Sequence, residues 1–149
     1  MFPRIRENYT HTGVDVPKIV RRIVKYAPQE VLEGLLEISI LDSDPDGVGF
    51  AAYCKNEKRI ELYVNDIIGW QPWILRKSYV FPYFAIALAL GHEIDHHVRR
   101  NCDTADKERC AEDHSLEYIY PSFGVFKPFV WLLSLVFAKR RGIQISKST

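Results

Sequence analysis

Along residues 15–27 apolar side chains recur as Val16, Ile19, Val20, Ile23, Val24 and Ala27, the spacing of a single helix face. Asp15 is placed to cap this helix, Pro17 fits its first turn, Pro28 stops it, and Arg21, Arg22 and Lys25 form the wet side. The period then changes to two. Leu36, Ile38 and Ile40 alternate with Glu37 and Ser39, a second run covers Val48 to Cys54, and Ile60, Leu62 and Val64 alternate with Arg59, Glu61 and Tyr63. Short connections predict that these three strands form an antiparallel meander. The first connection, Asp42-Ser43-Asp44-Pro45-Asp46-Gly47, has the acids and glycine that open a calcium loop. Tyr53 stands where the bidentate glutamate belongs, so the segment reads as a plain hairpin turn.

From Asp66 to Pro82 no period holds. Trp70, Trp73, Tyr79 and Phe81 lie among Gly69, Pro72 and Pro82 and read as a packed connector whose aromatics join the core or wall a pocket. A helix is then expected from Pro82 to about Arg100, a break at Asn101-Cys102-Asp103-Thr104, and a second helix from Ala105 to Tyr118. Beyond it, residues 122–141 form a mostly apolar helical segment closed by Lys139-Arg140-Arg141. Its uninterrupted part is shorter than the ~20 residues that span a bilayer. It reads as a buried helix, as a contact with a membrane surface, or as a plug over a cleft.

Within the first of these helices stands His92-Glu93-Ile94-Asp95-His96. Residues i and i+4 lie one above the other on a helix, so both imidazoles project together and can each reach a Zn²⁺ at about 2.0–2.1 Å. Glu93, next to the first ligand, can reach a water on the open side of the metal and act as general base for hydrolysis. Asp95 and His97 point elsewhere on the helix and are expected to be solvated or to support the ligands. A catalytic site of this kind needs a third protein ligand, and the stripe Glu108, Ala111, Glu112, Ser115 on the following helix is spaced to supply it. Side chains tilt toward their own helix N-terminus, which favours Glu112. The reading Glu108-Arg109-Cys110-Ala111-Glu112 makes Glu108 the alternative. His114 and Tyr118 are further candidates, as donors to a developing oxyanion. His11, alone in a polar lead, reads as surface.

The chain has 149 residues, 47% of them hydrophobic, which suits one domain spanning 1–149. Twenty Lys and Arg against nineteen Asp and Glu give a net charge of +1, which excludes a global field for recruiting nucleic acid. Cys54, Cys102 and Cys110 are odd in number and lack Cys-x-x-Cys spacing, so a reducing compartment is expected. The N-terminal residues do not read as a secretory signal. The expected location is cytoplasmic, or peripheral to a membrane through the apolar C-terminal segment.

With the His-Glu-x-x-His helix and a downstream Glu-x-x-Ala/Ser helix, the chain resembles the gluzincin metallopeptidases, particularly their minimal single-domain members, over about residues 30–120. The resemblance implies an α+β zincin-like domain with the three-stranded sheet packed against the active-site helix. It implies His92 and His96 as zinc ligands, Glu112 or Glu108 as the third, and Glu93 as base. It also implies a peptide or protein substrate paired with an edge strand, the part taken here by Ile60–Val64. The expected function is therefore zinc-dependent peptide hydrolysis. Its rival is a catalytically silent zinc-binding regulatory or interaction domain of the same fold, possibly membrane-associated. A membrane-associated adaptor with an accidental motif is a further alternative.

Overall fold

The computed structural model describes residues 2–10, 13–47, 49–99, 114 and 116–128. Strand β1 (Arg4–Asn8) leads into helix α1 (Val16–Tyr26), a 3-10 turn at Gln29–Leu32 and strand β2 (Glu37–Leu41). Strands β3 (Ala51–Cys54) and β4 (Arg59–Tyr63) follow, then short helices α2 (Val64–Gly69) and α3 (Trp73–Arg76), and the long helix α4 (Val80–Val98). Residues 116–119 are helical, and Tyr120–Phe126 form 3-10 turns broken at Gly124, which takes φ 55°.

α1 forms where the apolar stripe requires it. The Asp15 carboxylate accepts the Lys18 N–H at 3.0 Å, Pro17 sits in the first turn, and Val16, Ile19, Val20, Ile23 and Val24 are buried. α4 likewise carries Pro82 in its first turn.

The sheet is not the antiparallel three-stranded meander expected from the alternation. It has four strands in the order β1-β2-β4-β3. β1 runs parallel to β2 and β2 parallel to β4, while β3 is the one antiparallel member, paired with β4. Two causes account for the difference. β1 has a single apolar residue, Ile5, and so carries no alternation to detect; it is recruited by backbone pairing with β2. The connection of residues 42–50 then carries the chain past an empty lane, and the β3–β4 hairpin folds back so that β4 fills it. Burial explains that order: Ile60 and Leu62 of β4 are fully buried, whereas all four residues of β3 are only half-buried. The strand whose bulky branched side chains share the face that the helices cover takes the central lane.

Asp42–Gly47 is accordingly not a hairpin turn between neighbouring strands. It is an Asx-turn loop in which the Asp44 carboxylate accepts the N–H groups of Asp46 at 3.0 Å and Gly49 at 2.8 Å. Asp66 accepts the Asp44 N–H at 2.8 Å, which fastens the loop to α2.

α1 and α4 pack together against one face of the sheet, where Ile38, Ile40, Ile60 and Leu62 meet Ile19, Ile23, Ile86, Leu90 and Ile94. The other face carries Glu37, Ser39, Arg59 and Glu61, with Ser39 donating to Glu37 and Arg59 paired to Glu61. This is a two-layer α+β arrangement. Among the described residues, no helix is long and apolar enough to cross a membrane. Most of the expected helix 105–118 and of the apolar segment 122–141 lies outside the described residues, as do His11, Cys102 and Cys110.

Candidate metal centre

The long apolar stretch of α4 fixes the centre. Tyr83, Ile86, Leu90 and Ile94 form one buried stripe and Phe84, Ala87 and Gly91 a second, so the helix is held on two sides and His92 and His96 fall on the half-buried remainder. Their Nε2 atoms lie 3.0 Å apart, with the rings nearly perpendicular at 79°. Glu93 is buried at 7% exposure beside them, and the nearest donor atoms of the three side chains all fall within 4.8 Å of one another.

The donor chemistry fits a small, borderline-soft divalent cation. Two nitrogens bound to one tetrahedral ion at 2.0–2.1 Å stand about 3.3 Å apart, close to the separation found. His92, Glu93 and His96 are thus a group that can hold a metal ion. Glu112 and its alternative Glu108 lie outside the described residues.

The two remaining polar residues of the motif helix are not solvated, contrary to one of the two roles expected for them. Asp95 is 0% and His97 1% exposed. His97 Nε2 faces the Glu33 carbonyl at 2.9 Å and must donate to it, which leaves Nδ1 as acceptor for the Tyr53 hydroxyl at 2.9 Å. One imidazole therefore ties the edge strand β3 and the loop after the 3-10 turn to the helix turn that carries His96. The Tyr53 ring also packs edge-on against it, with centroids 5.2 Å apart.

On the other side Asp95 Oδ1 accepts from Arg99 Nε and from the Tyr118 hydroxyl, each at 3.0 Å, which fastens the chain's return at residues 116–119 to α4. The Tyr118 hydroxyl donates its proton to this contact. Burial, and then the hydrogen bond to Asp95, push its pKa above the usual tyrosine value. His114 pairs with Glu117 at 3.0 Å.

Sequence reasoning gave Tyr53 no part in the centre and left Asp95 and His97 between solvated and supporting roles, of which their burial removes the first. A signal for the latter pair was present. His97 continues the stripe Ile86, Leu90, Ile94, and Asp95 continues Phe84, Ala87, Gly91, at spacings of three or four.

The strand that offers an edge beside α4 is also not the one expected. β4 is paired on both sides, so Ile60–Val64 offers no free edge, and Val64 already belongs to α2. Among the described strands the edge on this side is β3. Compared with known proteins, the chain matches no family model, no curated protein and no solved structure.

Proposed function

We propose that this protein is a zinc-dependent metallopeptidase of the minimal gluzincin type. His92 and His96 are two of its ligands, a glutamate of the following segment (Glu112, with Glu108 as the alternative) is the third, and Glu93 is its general base. The convergence of two imidazole Nε2 atoms at 3.0 Å beside a buried carboxylate supports this reading. Zinc, when bound, supplies Lewis acidity and brings a water's pKa to about 7.

The residues of the chain do the rest. Glu93 takes a proton from the attacking water and passes it to the leaving nitrogen. His97 and Tyr53 hold β3 against α4, so the outer edge of Ala51–Cys54 can add an extended peptide as a further strand. A peptide or protein is the substrate that follows from this reading.

The test is zinc stoichiometry together with cleavage of a broad peptide library by the wild type and by Glu93→Gln. About one zinc per chain is expected in both, with cleavage in the variant reduced at least 10²-fold. A zinc-loaded wild type that cuts nothing would favour the silent binding domain. A chain that binds no zinc would refute the centre itself.

A further inference from the structure

Residues 70–74, just after α2, invert the usual distribution of polar and apolar side chains. Gln71 is 5% exposed and its amide donates to the Ile67 carbonyl, while Trp70, Trp73 and Ile74 are 68%, 69% and 64% exposed. The inversion is held in place. Arg76 Nε donates to the Gln71 carbonyl at 2.7 Å and its terminal nitrogen to the Gly69 carbonyl, so the loop is closed on itself with both indoles outward. Phe50 extends the patch, packing edge-on against Trp70 with centroids 6.1 Å apart. Each buried indole removes about 150–250 Å² from water, so leaving two exposed on a braced loop forgoes a large gain unless something covers them.

The charges indicate what covers them. Residues 67–92 contain Arg76 and Lys77 and no acid. Lys77 Nζ stands 5.5 Å from the Trp73 ring centre, at the margin of the patch. The nearby acids Asp44 and Asp66 are turned onto backbone N–H groups, and Asp46 is left as the exposed one of the loop. Indoles flanked by basic side chains match a lipid headgroup layer, where the ring sits at the apolar boundary and the ammonium meets phosphate. A twofold dimer through the same patch would gather the Arg76 and Lys77 charges of both copies in one interface.

We propose that Trp70, Trp73 and Ile74, with Phe50 and Lys77, form a surface that docks on an anionic lipid bilayer. The surface lies at the start of α4, and His92 is twelve residues further along, about 18 Å of helix. The proposal does not depend on the metal reading.

The experiment is cosedimentation of the full chain with phosphatidylcholine vesicles, with and without phosphatidylglycerol, for the wild type, Trp70→Ser/Trp73→Ser and Lys77→Gln. The substituted side chains are exposed, so circular dichroism and Tm are expected to match the wild type. The double variant is expected to lose at least tenfold in partitioning. Lys77→Gln is expected to lose about fivefold on anionic vesicles only, the contribution of one basic residue near such a surface. A wild type that stays in the supernatant would overturn the proposal. So would a double variant that sediments as the wild type does, placing any lipid contact elsewhere in the chain. Conversion of a dimer to a monomer by the double variant, with vesicle binding unchanged, would overturn it in favour of a second copy.

Discussion

Removing one hydroxyl tests whether the edge strand is held to the motif helix through a single imidazole. In Tyr53→Phe the ring stays and its edge-on packing on His97 is kept, but Nδ1 of His97 loses the donor now 2.9 Å away. The acceptor belongs to a residue 1% exposed, and its other nitrogen is committed to the Glu33 carbonyl. Depriving a buried polar group of its partner costs about 1–3 kcal/mol. At a urea slope of about 2 kcal/mol/M, a loss of about 2 kcal/mol moves the midpoint down by about 1 M. The assay is urea unfolding followed by circular dichroism on four chains: wild type, Tyr53→Phe, His97→Phe and the double variant. If the hydroxyl acts through His97, Tyr53→Phe costs little once His97 is gone, and the cycle returns a coupling of at least about 1 kcal/mol. A single-variant cost below about 0.5 kcal/mol, or an undiminished cost in the His97→Phe background, would refute the reasoning.

Two further outcomes are expected. Asp95→Asn weakens the clamp on Arg99 and Tyr118 and lowers stability by about 1–3 kcal/mol in thermal unfolding; an unchanged Tm would show that these contacts contribute nothing. Tyr9, Tyr63, Tyr83 and Tyr118 are all raised above the usual tyrosine value, chiefly by burial, so the unfolded chain releases these protons first and stability falls as pH climbs past about 10. Urea midpoints measured from pH 8 upward check this, and a flat profile would contradict it.

Much of the local structure was legible in the sequence, because it depends on neighbours in sequence. The stripe and cap of α1, the alternation of β4 and the one-turn spacing of His92 and His96 each report on a single element. Pairing direction does not. Nothing in the alternation of Ile60 and Leu62 says that Ile60 will face Ile38 in parallel register, and a strand as polar as Arg4–Asn8 has no pattern to announce it. The partners of Asp95 and His97 come from Tyr118, Tyr53 and the loop at Glu33, 23 to 64 positions away, so only the continuation of the buried stripes hinted at their burial. Trp70 and Trp73 misled for the opposite reason, since aromatic side chains usually report a core and these two face outward.

The strand order constrains how the molecule is made. A nascent chain that has produced β2 holds an apolar, unpaired backbone edge whose permanent neighbour, β4, is synthesised only after the 42–50 loop and β3. During that interval the safest course is for the Ala51–Tyr63 hairpin to close locally, over its four-residue turn, and then to slot in sideways as a unit. Any lesion that delays this closure leaves an open lane for another polypeptide, so variants in Lys55–Lys58 should betray themselves first as aggregates during synthesis.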